Sequence, residues 1–272
     1  MNSPRLKSIV KLFESCRYKH DLYTVFGDWC ETSAIALSNA VDLAPAEKRE
    51  ARFQEIAGKY GTETMGTFSK IMGEVVMALE DRTHDVLGAT FHALELHNKA
   101  RGQFFTPYPV CQLMARIVAG SPDDMKKMIA ERGFMLAQEP AAGSGAMIIA
   151  LAEAILEAGI NYQQCLHVTA VDIDPRAVHM AYIQLSLLHI PATVIVGDSL
   201  AMRFSDQWHT LAHVMGGWSA KLRRAGEAAK ADQPMPVPAM VPSAAKVAVA
   251  SSPVGLGSAA PATEKNGQLR LF

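Results

Sequence analysis

With 272 residues, 49% of them hydrophobic, the chain is long enough to bury one or two cores. Its net charge of −1 excludes a globally basic nucleic-acid binder, so any contact with a polyanion has to come from local patches. No apolar run approaches the roughly 20 residues that span a bilayer. The opening MNSPRLKSIVKLF also lacks a long apolar stretch and a small-residue cleavage site, so the expectation is a cytoplasmic protein with no membrane contact.

Residues 1–100 read as a helical domain. Ile9, Leu12, Phe13 and Cys16 form a short apolar stripe, Pro45 opens a charged helix ending near Gly58 or Gly61, and Met65, Phe68, Ile71, Met72, Val75, Val76 and Leu79 recur at amphipathic helical spacing. The methionines in that stripe are read as core. Arg5, Lys7, Lys11, Arg17 and Lys19 face only Glu14 over the first twenty residues, which a solvated helix face explains more simply than a phosphate contact. His84 to Leu96 continues as helix into Gly102-Gln103-Phe104-Phe105-Thr106-Pro107, where Pro107 and Pro109 predict an extended segment before helix resumes at Val110–Val118. Cys16, Cys30, Cys111 and Cys165 lack CxxC or His spacing, so reduced, buried thiols and no metal site are expected.

Residues 101–232 change character. Phe134-Met135-Leu136-Ala137 reads as a strand, Glu139-Pro140-Ala141-Ala142-Gly143-Ser144-Gly145 as a glycine turn, and Ala146 to Leu151 as the start of a helix. A second unit runs through His167–Val171 into Asp172-Ile173-Asp174-Pro175 and a helix over 176–188. A third runs through Ala192–Val196 into Gly197-Asp198-Ser199. Strands alternating with helices predict an α/β fold with a parallel, doubly wound sheet, whose ligands bind outside the carboxyl ends of the strands. Glu139, Asp172 and Asp198 stand at such ends. A dinucleotide fingerprint is incomplete, because Ile148 occupies its third glycine position. The acids argue against a pyrophosphate and for a ligand with hydroxyls, an amine and a positive centre, a description that S-adenosylmethionine fits.

In their order, the blocks GQFFTP, EPAAGSG, VDIDP and GDSL over about residues 84–200 resemble the N6-adenine DNA methyltransferases, most closely the modification subunits of type I restriction systems. The resemblance implies a Rossmann-like methyltransferase core behind an N-terminal helical domain, S-adenosylmethionine as cofactor and DNA as substrate. It also implies partner subunits or self-association. Phe105, Thr106 and Pro107 would lie across the methionine end of the cofactor. Glu139, Gly143 and Gly145 would shape the turn beside that moiety, with Glu139 near its amine. Asp172 would accept hydrogen bonds from the ribose hydroxyls and Asp198 from the adenine amine. Asp174 is better read as the cap of the helix beginning at Pro175.

The resembled enzymes carry a fourth strand ending in Asn or Asp, Pro, Pro, then Tyr or Phe, whose oxygens hold the target amine and whose ring stacks on a flipped base. No such tetrapeptide occurs in this sequence. The positional candidate is Thr210–Val214 as a short strand, with Trp218 the ring able to stack and Met215 unable to replace the amide. The competing expectation, preferred here, is a helix from a Ser205 cap interrupted near Gly216. In either case the strands beyond the third are missing or reduced, leaving the sheet truncated. The exposed edge of the first strand would then need cover from the N-terminal helices, from residues 201–230, or from a partner chain.

Residues 233–267, rich in proline, alanine and serine, are expected to be a disordered linker. The chain closes on Gln268-Leu269-Arg270-Leu271-Phe272, which resembles the bacterial sliding-clamp binding pentapeptide. That resemblance implies a docking role for Gln268, Leu269, Leu271 and Phe272. The functional expectation is a SAM-binding protein of this family that methylates adenine N6 in DNA through a divergent block or a partner. The alternative is a non-catalytic SAM-binding adaptor recruited through the sliding clamp; a methyltransferase acting on RNA or protein also stays open.

Overall fold

A computed structural model describes residues 3–17, 19–96, 105–231 and 268–270. Five helices come first: α1 (Pro4–Ser15), α2 (Leu22–Asn39), α3 (Ala46–Ala57), α4 (Thr62–Asp81) and α5 (Val86–Ala93). Their starts follow local chemistry. Ser3 caps α1 by accepting from the Leu6 N–H, Asp21 caps α2 through the Thr24 N–H, and Asp85 caps α5 through the Gly88 N–H. Next come α6 (Tyr108–Ala119) and α7 (Pro122–Arg132), the latter with a Ser121/Asp124 capping box and a left-handed Gly133 at its end. The expected extended stretch through Pro109 is therefore shorter than the two prolines suggest. Pro109 sits in the first turn of α6, where a missing N–H costs no helical bond.

The α/β part follows: β1 (Met135–Glu139), α8 (Ala146–Glu157), the single turn α9 (Tyr162–Cys165), β2 (Leu166–Asp172), α10 (Pro175–Leu187), β3 (Ala192–Asp198), β4 (Arg203–His209), α11 (Leu211–Met215), α12 (Trp218–Ala231) and β5 (Gln268–Arg270). The sheet order is β4-β3-β2-β1-β5. β1, β2 and β3 are parallel, as the alternating pattern predicts, while β4 returns antiparallel along β3 with a register shift at Val196/Gly197. The helix expected from Ser205 is thus a strand up to His209. Helix begins only after Thr210, whose hydroxyl caps α11, and it breaks at Gly216-Gly217, where Gly217 adopts φ +63°. Trp208 explains the correction. Its ring is buried against His179 and Tyr182 of α10 with the Arg49 guanidinium 3.7 Å from its centre, burial that a twisted edge strand provides.

The outer edge of β1 differs from expectation as well. Over three residues it is paired by β5, in parallel register through Leu136↔Gln268, Ala137↔Leu269 and Gln138↔Arg270, a strand from outside the N-terminal helices and residues 201–230. The remaining linker residues and Leu271 and Phe272 lie outside the described residues, as does the Gly102–Phe104 part of the GQFFTP block. One apolar cluster runs from Ile9, Phe13 and Trp29 through Phe91 into Ile148, Tyr182 and Val194, so the helical layer and the sheet share a core. All four cysteines are free and buried. Among the described residues no helix is long and apolar enough to cross a membrane, and no group of metal-ligating side chains occurs.

At the amino end of the sheet His167 Nε2 lies 2.8 Å from His213 Nδ1, and His213 Nε2 lies 2.9 Å from the Ser219 hydroxyl. Burial, with the neighbouring imidazoles adding to it, depresses His167 to about 3 and His213 to about 4; burial also brings His179 to about 4. Unfolded histidines titrate near 6.5, so between that value and the folded ones only the unfolded chain takes up protons. Stability is therefore fully present above about pH 6.5 and falls as the pH drops below it. The expected slope is about 1.4 kcal/mol per pH unit for each independent histidine. Urea midpoints at pH 7, 6 and 5 read this directly, and equal midpoints at pH 7 and 5 would contradict buried neutral imidazoles.

Candidate active site

The carboxyl ends of β1 and β2 meet at the glycine turn. Gly143 (φ +55°) and Gly145 (φ +91°) both occupy the left-handed region that glycine enters without strain, and Gly145 is the N-cap of α8. A Cβ on Gly143 would stand 2.9 Å from the Phe105 ring, so the chain from 105 presses on the turn. The Ala142 N–H donates to the Val171 carbonyl at 2.8 Å, and the Ser199 hydroxyl donates to the Pro140 carbonyl at 2.9 Å. The turn is thus tied to β2 and to the loop after β3.

Two acids face each other across it. Asp172 Oδ2 accepts from the Gly143 N–H at 2.8 Å and Oδ1 from the Asp174 N–H at 2.9 Å, while burial raises its pKa. Glu139 is 2% exposed. Its Oε1 accepts from the Ala141 N–H at 3.0 Å, whereas Oε2 is buried with no hydrogen-bond partner. Burial raises the Glu139 pKa, and the charge of Asp172 adds to that. The acids share a cavity of about 810 Å³ with Phe105, Thr106, Met114 and Arg176 on its walls, within the roughly 300–1,000 Å³ range of small-molecule sites. Arg176 does not neutralise them. It is held by Asp174 at 3.1 Å and lies over the Tyr23 ring at 3.8 Å. Two further cavities, of about 580 and 840 Å³, are lined by the N-terminal helices and their loops.

Behind the turn lies a buried polar network that motif reading did not single out. Asp85 Oδ2 accepts from the Ser144 hydroxyl at 2.7 Å; its Oδ1 accepts from the Gln184 amide at 2.8 Å and the Gly88 N–H at 2.9 Å. Gln184 also donates to the Ser144 carbonyl and accepts from the Leu87 N–H, so α5, α10 and the turn are joined through one amide. The available signal was an amide in the otherwise apolar middle of α10, together with Asp85 placed three residues before Gly88.

Of the residues expected to hold the cofactor, Phe105, Thr106, Glu139, Gly143 and Asp172 line the cavity. Pro107 stands outside it as the N-cap of α6, and Gly145 instead packs on Ala181 of α10. Asp198 is at the carboxyl end of β3 but off the cavity wall; its Oδ1 accepts from the Leu200 and Ala201 N–H groups at 3.0 and 2.9 Å. Asp174 caps α10 through the Arg176 N–H, as expected. Trp218 is a correction. It is 1% exposed and packs on Phe134 and His167 at the amino ends of β1 and β2, the opposite end of the sheet from the acids. Two glycines before it let the chain turn its ring inward, so it cannot stack on a base beside this cavity.

No curated protein matches the chain. Among solved structures it is similar to a putative class I S-adenosylmethionine-dependent methyltransferase from Listeria monocytogenes, at 13% identity and TM-score 0.40, over 74% of this chain and 56% of that one. It is also similar to the methyltransferase subunit of a type I restriction-modification system from Streptococcus thermophilus, at 15% identity and TM-score 0.37, over 72% and 58%. The chain thus spans a little over half the length of these structures. The profile of N-6 DNA methylase matches residues 84–222, just over half of the chain and the whole of the cavity wall from Phe105 to Arg176. The chain belongs to the N-6 DNA methylase family, whose cofactor is S-adenosylmethionine.

Proposed function

We propose that this chain holds S-adenosylmethionine in the cavity between Glu139 and Asp172 and serves in the methylation of adenine N6 in DNA. The observation that carries this reading is the pair of carboxylates, Glu139 and Asp172, on the wall of one cavity, with Glu139 Oε2 buried and without a hydrogen-bond partner. A carboxylate offers acceptors only and suits a donor-rich part of a ligand, so these two residues fit an amine at Glu139 and ribose hydroxyls at Asp172. The Asp172 oxygens already bonded to Gly143 and Asp174 keep free lone pairs for this and are held in orientation by those bonds. Phe105 and Met114 shield the apolar side of the site from water, and Gly143 lets a ligand approach the backbone. When bound, the cofactor supplies an electrophilic methyl group on a sulfonium centre.

The Asn/Asp-Pro-Pro-Tyr/Phe tetrapeptide that holds the target amine in the resembled enzymes does not occur in this sequence. In a doubly wound sheet the strand after the third crosses to the far side of the first, where the ligand crevice lies. Here β4 stays beside β3 and, among the described residues, Gln268–Arg270 is the strand that lies across β1. A partner subunit that brings the acceptor side chains is therefore the reading favoured for catalysis, with cytoplasmic location following from a DNA substrate. The test is transfer of radiolabelled methyl from S-adenosylmethionine to unmethylated DNA, with the chain alone and with co-purified partners. Label on adenine N6 only in the presence of a partner supports the reading. Label from the chain alone overturns the need for one, and no label under either condition, with the cofactor bound, favours the adaptor.

A further inference from the structure

β1 is bonded on one side by β2 over five residue pairs and on the other by three residues from the end of the chain. Three pairs of parallel strand are a small contact, and isolated short pairings in water are marginal. What makes the contact persist is tethering. Residues 232–267 join α12 to β5 within one chain, so the pairing is intramolecular and does not depend on protein concentration. Around it the surface is unfinished. α6, which touches β5, presents Val110, Leu113 and Ile117 to solvent at i, i+3 and i+7, an apolar stripe on that helix.

We propose that the outer edge of β1 is a peptide site that accepts an extended strand in parallel register. Its resident is the chain's own Gln268–Arg270, held in cis and exchangeable. The pairing runs up to Gln138↔Arg270, one residue short of Glu139, so the occupant of this edge borders the cavity that the proposed function uses. Any protein that captures the C-terminal five residues competes with β1 for the same backbone, since residues 268–270 cannot extend two sheets or fill a pocket elsewhere while paired here. Capture therefore opens the edge at the place where an acceptor strand from a partner would enter. This competition holds whatever the capturing protein is. The sliding-clamp reading is decided separately, by whether deleting residues 268–272 removes retention on immobilised clamp.

The test uses the full chain and a fluorescent peptide of residues 264–272. Leu269→Pro removes an N–H and the extended pairing while keeping the tether. The variant is expected to bind the added peptide at least tenfold more tightly than the wild type, whose own tail competes. Hydrogen exchange at Leu136–Gln138 should be faster in the variant and slow again when peptide is added. Equal binding by the two chains, or binding by neither, overturns the proposal, as does β1 exchange that Leu269→Pro leaves unchanged. A wild-type dimer by light scattering that the variant lacks would assign the strand to a second copy and overturn the cis assignment.

Discussion

Asp172→Ala is expected to lower the affinity for S-adenosylmethionine at least 100-fold, read by calorimetric titration against the wild type. Two effects act together. The ligand loses its carboxylate acceptor, and the Gly143 and Asp174 N–H groups lose the oxygens that orient the turn and the loop after β2. A hydrogen bond to a charged partner contributes about 1.5–3 kcal/mol, so two such losses reach the hundredfold level, roughly 2.7 kcal/mol. Binding should also weaken on acidification. Burial raises both Asp172 and Glu139, so these carboxylates take up protons at higher pH than exposed ones and the cavity loses its negative charge first. A thermal melt of the variant shows whether the fold persists; unchanged affinity in a folded variant would remove Asp172 from the site.

Asp85→Ala should be the most destabilising single change outside the apolar core. Asp85 is 6% exposed, and its removal leaves the Ser144 hydroxyl, the Gln184 amide and the Gly88 N–H without their acceptor in a buried setting. Unsatisfied buried donors cost about 1–3 kcal/mol each, with relaxation recovering part, so a loss of about 3 kcal/mol or more is expected. Gly88→Ala attacks the same point by geometry. Its Cβ would fall 1.9 Å from Asp85 Oδ2 and 2.8 Å from the Ser144 hydroxyl, so the network has to break or the helix has to move. Urea denaturation measures both variants. A loss below about 1 kcal/mol in Asp85→Ala would mean that water replaces the carboxylate and that the network does not hold the turn.

These two residues mark the boundary between what local chemistry reveals and what it hides. Asp172 is legible because a carboxylate after an apolar strand and before Asp-Pro can only be at a strand end. Asp85 reads locally as a helix cap, which it is, but its bonds to Ser144 and Gln184 span 59 and 99 residues of chain. Nothing in spacing reports contacts of that range. Trp208 and Trp218 show the same limit: both rings were placed by what could bury them, an arginine and a histidine from other elements.

By itself the sequence determined the alternation of strands and helices from Met135 to Asp198, the glycine turn, the acids at the strand ends and the absence of an acceptor tetrapeptide, because periodicity, glycine freedom and residue identity are local properties. Only the tertiary structure decided which side of the sheet each strand joins. It sent β4 back along β3, turned Trp218 to the far end and set the last described residues on the open edge of β1. Strand partners are chosen by burial and by backbone groups that must be paired, and those are satisfied across the whole fold, not along the chain.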